Sequence, residues 1–260
     1  MEQSTPSANP DLRFLSGNTL KIIAAVSMFL DHLGYVFFPR VAWLRAVGRL
    51  AFPLFAFLLA EGCRYTKNKT KHFALLFVLG TVCQVVFYLF TKQSYMGILL
   101  SFSLSTLCIY AVLGVQKSIA EKNGKHTALY SLALVCSVAA AWAFCYFFEV
   151  DYGFWGCMFP VFCSLIDFRS FPAMEKRVLL EHFLRVAMAA IALVLVNLSC
   201  AENLAFLSPA LQWYSLFTIP LLLLYNGKKG KGNLKYFFYI FYPAHLAALQ
   251  GVAMLLSLLK

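Results

Sequence analysis

The stretch Leu20-Lys-Ile-Ile-Ala-Ala-Val-Ser-Met-Phe-Leu-Asp31-His32-Leu-Gly34 opens a run of apolar segments that fills the rest of the chain. Its length and composition predict a membrane-spanning helix, for which roughly 20 mainly apolar residues suffice. The same stretch holds an aspartate and a histidine, and ionisable groups inside hydrocarbon are costly enough to mark a functional site by default. At about 1.5 Å per residue, His32 lies well along this helix from Leu20. Asp31 and His32 are adjacent, so on a helix they point in different directions and each needs a partner from another helix.

Reading outward, eight further apolar stretches follow, giving candidate spans at about 20–38, 46–63, 73–91, 96–115, 128–148, 153–168, 184–200, 211–225 and 236–258. Hydrophobic residues make up 61% of the 260 and charged residues only 13%, about half the charged share of a soluble domain. Continuous apolar runs of this length favour helix over strand. The expected fold is therefore all-α, a polytopic integral membrane bundle of about nine spans. It divides into a polar N-terminal segment, 1–19, and a single transmembrane domain, 20–260. The polar N-terminus carries Pro6, Pro10 and Asp11 and does not have the form of a cleaved signal peptide.

The net charge of +11 does not form one soluble basic face, which excludes nucleic acid as the expected partner. Instead the basic residues fall in alternate connections. Arg13 and Lys21 flank the first span; Arg64, Lys67, Lys69 and Lys71 follow the second; Lys117, Lys122 and Lys125 follow the fourth. Arg169, Lys176, Arg177 and Arg185 follow the sixth, and Lys228, Lys229, Lys231 and Lys235 the eighth. By the positive-inside rule these connections are cytoplasmic, with the N-terminus inside and the C-terminus outside. Segment 169–185 mixes charges with Phe171, Met174, Val178, Leu179 and Phe183, which predicts an interfacial amphipathic helix. The eight cysteines show no CxxC spacing, so no metal or redox motif is expected and they read as small hydrophobes.

The second span supplies partners for the first. In Arg45-Ala-Val-Gly-Arg49-Leu-Ala-Phe-Pro53 the two arginines stand at i,i+4 on one helical face and enter the membrane from the side of Asp31 and His32. An Asp31 pair with Arg49 or Arg45 would offset the burial of both charges. Such a pair serves a helix lock as well as a site. Neutral His32 suits a general base as well as a structural hydrogen bond. Pro53 is expected to loosen the helix just beyond. At the other end, Glu61 and Arg64 at i,i+3, with Lys67 and Lys71, read either as a solvated basic loop or as a rim for the phosphates of a nucleotide-bearing cofactor. No Walker or dinucleotide glycine motif is present. Asp151-Tyr152-Gly153-Phe154 reads as an outer turn with interfacial aromatics, and His245 falls near mid-membrane beside Pro243.

The blocks LKIIAAVSMFLDHLG (20–34), LRAVGRLAFPLFAFLLAEG (44–62), DYGFWG (151–156), LLLLYNGKKG (221–230) and KYFFYIFYPAHL (235–246) resemble the TraX family of membrane proteins. That family is named for a conjugal pilin acetylation protein and lies within the wider transmembrane acyltransferase superfamily. The resemblance implies a multi-pass acyltransferase of the bacterial inner membrane that takes acetyl from acetyl-CoA and gives it to an amine or hydroxyl acceptor. A pilin subunit and a cell-surface molecule are the candidate acceptors. It implies His32 as the catalytic histidine, with Asp31, Arg45 and Arg49 shaping the core site. Coenzyme contacts would come from Arg64, Lys67, Lys71, Glu61 and His245. A proton-coupled transporter and a non-catalytic assembly factor for a surface appendage are the alternatives. The first can use the same buried Asp, His and Arg as a relay, but no inverted repeat supports it.

Overall fold

Helices account for nearly all the regular structure in the computed structural model, which describes residues 13–92, 95–171, 173–174, 176–203, 209–232 and 234–258. Most of the polar N-terminal segment, residues 1–12, lies outside the described residues. In chain order the helices are α1 (Gly17–Val36), α2 (Ala42–Gly48), α3 (Ala51–Tyr65), α4 (Lys69–Thr91), α5 (Ile98–Ala120) and α6 (Gly124–Phe147). They continue with α7 (Gly153–Phe162), α8 (Val178–Asn203), α9 (Pro209–Gln212), α10 (Thr218–Leu223) and α11 (Lys235–Leu258), plus 3-10 turns at Phe168–Ser170 and Trp213–Phe217. Polar caps start three of the long helices. Ser16 accepts from the Thr19 N–H, Asn68 from Lys71 and Asn123 from His126, each satisfying a backbone donor that the first turn leaves unpaired.

Among the described residues, six segments are long and apolar enough to cross a membrane: Gly17–Val36, Ala42–Tyr65, Lys69–Leu89, Ile98–Ala120, Gly124–Phe147 and Val178–Cys200. The remaining three apolar stretches appear as shorter helices at Gly153–Phe162, Ala210–Leu223 and Ile240–Leu256. The bundle is arranged around α2 and α3. Their apolar window is 72% buried, whereas those of α4 and α6 are 11% and 6% buried. Polar side chains on α2 and α3 therefore face protein, and α4 and α6 turn their apolar surfaces outward. With no hydrophobic force between helices in lipid, close backbone approach and interhelical hydrogen bonds hold such a bundle. Ser105 of α5, for example, donates to the Cys157 carbonyl of α7 at 2.7 Å.

Two local expectations fail. Pro53 does not loosen α3, because the helix starts at Ala51 and Pro53 falls in the first turn, where its missing N–H has no intrahelical partner to lose. The break comes earlier, at Arg49–Leu50, and divides the expected single span into α2 and α3. The stretch 169–185 is not one amphipathic helix either. Its described residues form a 3-10 turn at Phe168–Ser170 and turns at 173–174 and 176, and α8 begins only at Val178. Arg64 and Arg169 bind Asp167 here and fix a turn in place of a helix.

Candidate active site

α1 and α2 meet where neither carries bulk. A Cβ on Gly34 would come within 2.9 Å of the Leu44 Cβ, and one on Gly48 would collide with the Asp31 carboxyl. This approach lets Asp31 take two arginines at once. Its Oδ1 accepts from Arg49 Nη2 at 3.2 Å and lies 3.5 Å from Arg45 Nε. The pairs differ in setting. The Arg49 side chain is 3% exposed and that of Arg45 is 15% exposed, and the Arg45 guanidinium also lies over the Tyr35 ring. One carboxylate faces two guanidinium groups, and Arg49 Nε has no hydrogen-bond partner among the described residues.

One residue on, His32 points elsewhere. Its Nδ1 lies 2.8 Å from the Met28 carbonyl, and His245 of α11 repeats the arrangement with the Phe241 carbonyl at 2.8 Å. A carbonyl only accepts, so in both rings Nδ1 carries a proton, and in a neutral ring Nε2 is then the nitrogen with the lone pair. The two imidazoles stand edge to face, with centroids 5.1 Å apart. His245 is 6% exposed, and its Nε2 has no partner among the described residues.

The turn between α6 and α7 brings Asp151 to the same end. Parallel pairing of Met96 with Val150, through Met96 N to Glu149 O and Asp151 N to Met96 O, pins the turn. Gln84 of α4 braces it by donating to the Tyr95 carbonyl and accepting from Gly97 N–H. Asp151 accepts from the Tyr95 hydroxyl at 2.6 Å. Burial pushes its carboxyl above the usual carboxylate range, and the Tyr95 hydrogen bond pulls it down without cancelling this. Tyr152 follows with φ +60°, a conformation a non-glycine residue adopts only where its surroundings demand it. Its ring stacks on Phe52 with centroids 4.1 Å apart.

Glu61 and Arg64 lie about 20 Å away at the far end of α3, by helical rise. They belong to a different assembly. Glu61 pairs with Arg64 at 3.0 Å and with Arg185, and it accepts from the Tyr225 hydroxyl at 3.1 Å. Arg64 also binds Asp167 at 3.0 Å and Glu181, while Arg169 Nε donates to Asp167 at 2.8 Å. The Asp167 carboxyl is held well below its ordinary range, because the Arg169 and Arg64 contacts outweigh the opposing effect of burial. Three carboxylates thus match three guanidinium groups, and neither Glu61 nor Arg64 offers a charge to a phosphate in this arrangement. Lys67 and Lys71 are exposed beside them. His245, expected among the coenzyme contacts, stands against His32 instead. Among the described residues, no group of three or more His, Cys, Asp or Glu could hold a metal ion.

Sequence reading put Asp31, His32, Arg45 and Arg49 at one end; Asp31, Arg45 and Arg49 come together there, whereas His32 meets His245 of α11. It treated Asp151-Tyr152-Gly153-Phe154 as an outer helix turn with Tyr152 and Trp155 as interfacial aromatics, and did not consider Tyr95. The available signal was the acidic residue in DYGFWG, a block that also carries the family resemblance. Arg185 was read as a loop charge, and Glu181 and Asp167 were not singled out.

Residues 16–253 match the TraX protein family. The chain belongs to the TraX family. Across 253 residues it is 27% identical to the probable fimbrial assembly protein FimC, serogroup H1, of Dichelobacter nodosus, covering 92% of this chain and 96% of that one. An uncharacterised protein of Rickettsia prowazekii (strain Madrid E) is 32% identical over 92 residues, 35% of each chain. No solved structure matches.

Proposed function

We propose that this TraX-family protein is a nine-span acyltransferase of the bacterial inner membrane, N-terminus inside, with residues 20–260 acting as one catalytic domain. It transfers acetyl from acetyl-CoA to an amine or hydroxyl acceptor, a pilin N-terminus or a cell-surface molecule. The observation that carries this reading is the half-buried His32 imidazole, held with Nδ1–H on the Met28 carbonyl and edge to face with His245.

The donor supplies an acetyl thioester already activated toward attack. His32 Nε2 takes the proton from the acceptor's N–H or O–H as the new bond to the acetyl carbon forms. It returns that proton to the sulfur as the C–S bond breaks. Arg49, whose Nε is unpartnered, stabilises the negative charge that gathers on the acetyl oxygen, an effect strongest where water is excluded. Asp31 holds Arg49 and Arg45 in position without fully neutralising them. For the coenzyme's phosphates, the exposed Lys67 and Lys71 fit better than the paired Arg64. The pantetheine arm would then have to cover the roughly 20 Å length of α3.

The test is purified protein with labelled acetyl-CoA and a panel of acceptors. His32→Ala should lower transfer by about 10² or more if Nε2 is the general base, and full activity in that variant would remove His32 from the role. A second reading, a non-catalytic assembly factor, is favoured by the name of the Dichelobacter nodosus relative. It requires that folded His32→Ala protein still support appendage assembly and that wild-type protein transfer no label.

A further inference from the structure

The connection from α6 to α7 is flanked by a pair of thiols that the proposed reaction does not use. Cys145 and Cys157 bring their Sγ atoms to 3.6 Å of each other from positions 12 apart in sequence, a spacing that no CxxC pattern marks. Both are free thiols, and their surroundings differ. Cys157 is fully buried on α7, and its carbonyl accepts from Ser105 of α5 at 2.7 Å, which fixes it against the bundle. Cys145 is half-buried on α6, the helix that turns most of its surface outward. One sulfur is therefore anchored and shielded, while the other is within reach of a reagent, and access decides which thiol enters exchange first.

Both sulfurs sit near the same face of the membrane. Cys145 stands just before Phe147, the end of α6, and Cys157 one turn after Gly153, the start of α7. Helical rise puts them about 3 Å and about 6 Å from the connecting turn. In the proposed orientation that turn lies outside, on the oxidising side of a bacterial inner membrane, where disulfides persist. A bond of about 2.05 Å asks the two side chains to close about 1.5 Å between them, which small χ1 rotations can share. The tip of the turn is already pinned, since Met96 N–H donates to the Glu149 carbonyl and Asp151 N–H to the Met96 carbonyl. A bond at its base would close the stretch that carries Asp151 and Tyr152.

We propose that Cys145 and Cys157 are a disulfide site, and that oxidation at the outer face ties α6 to α7. The co-reactant is a disulfide-bearing oxidant of that compartment. The Cys145 sulfur attacks the oxidant's S–S bond, forming a mixed disulfide and releasing one oxidant thiol, which keeps the Cys145 proton. Cys157 then attacks the Cys145 sulfur. The Cys145–Cys157 bond forms as the mixed disulfide breaks, and the second oxidant thiol leaves with the Cys157 proton. Two protein thiols thus lose two electrons, and one oxidant disulfide becomes two thiols. The thiol pair is independent of the acyltransfer reading, and only the choice of compartment rests on the proposed orientation.

The experiment blocks free thiols with N-ethylmaleimide in intact cells, then isolates full-length protein and digests it without reductant. Mass spectrometry should find the Cys145–Cys157 cross-linked peptide in most molecules, and dithiothreitol should separate it into two. Purified, reduced protein in detergent should form the same peptide on treatment with dithiodipyridine. Cys145→Ser should abolish the cross-link, whereas Cys136→Ser, at an exposed cysteine of the same helix, should leave it unchanged. Oxidation of the purified parent should raise Tm by about 5–10 °C, a rise that Cys145→Ser should lack. Cysteines 145 and 157 both blocked in cells and still not joined after dithiodipyridine would overturn the proposal. So would Cys157 joined to any other cysteine, or a lower Tm on oxidation. Cross-linking in the purified protein alone would support the thiol site and overturn its assignment to the oxidising side.

Discussion

Replacing Asp31 by Asn keeps the shape of the side chain and deletes the one charge that Arg45 and Arg49 share. Two positive groups then remain, one of them on a side chain 3% exposed. Breaking a buried ion pair by removing one partner costs about 3–5 kcal/mol. The lower end applies here, because Arg45 is 15% exposed and can turn to solvent. For a chain of this size each kcal/mol shifts the midpoint by about 2–4 °C, so Asp31→Asn should lower Tm by about 6–12 °C. The two arginines should then separate. Arg49→Gln should lose nearly as much as Asp31→Asn, whereas Arg45→Gln should stay within the 0–1 kcal/mol typical of a solvated pair. In the double variant Asp31→Asn/Arg49→Gln no buried charge is left stranded, so its loss should fall short of the sum by about 1–3 kcal/mol. Intrinsic tryptophan fluorescence of detergent-solubilised protein during heating reads all four. A single Asp31→Asn within about 2 °C of the parent, or equal losses for Arg45→Gln and Arg49→Gln, would refute the assignment of Arg49 as the buried member.

At the other end, Asp167 has a folded-state carboxyl held well below its ordinary value of 3.8. Its contribution to stability is therefore fully present above that value and is lost as pH falls through it toward the folded one. Asp167→Asn should lower Tm at pH 7, and the gap to wild type should narrow below about pH 4, checked by the same melts across pH. The proposed orientation is tested with terminal tags in spheroplasts, whose outer membrane has been opened. An N-terminal tag should stay protected from external protease and a C-terminal tag should be cleaved, and the reverse result would invert the bundle.

The parts of the fold that could be read from sequence are those set by local composition. Long apolar runs mark helices because a chain in lipid must satisfy its backbone internally, and the six long helices fall on such runs. The Asp31–Arg49 pair was also legible, because helices joined by a short connection must pack side by side. Contacts closed from far along the chain were not. His245 meets His32 from the last helix, and Tyr225 and Arg185 reach Glu61 from later segments. In lipid, apolar faces carry no pairing code, so sequence alone does not rank which distant helices will touch. The α2–α3 break was hidden for another reason. Arg49 and Leu50 are acceptable helix residues, and what ends α2 there is the close docking of Gly48 on Asp31.

The two ionic clusters use the same residue types for different ends, and charge balance separates them. Around Glu61, three carboxylates and three guanidinium groups neutralise one another across α3, α8 and the turn at Asp167. A change to any one member strands a partner, so this assembly is suited to fixing helices and poorly suited to receiving a ligand. Around Asp31 one carboxylate answers two arginines. The other acid there, Asp151, is biased toward holding its proton and already has the Tyr95 hydroxyl as a donor. That leaves surplus positive charge beside two imidazoles whose Nε2 atoms carry lone pairs. A surplus of this kind lowers the stability of the resting bundle, yet it is what a developing oxyanion and a departing proton require. In the proposed reaction the Arg49 end is where that imbalance would be relieved, while the balanced Glu61 cluster holds helices at the other end.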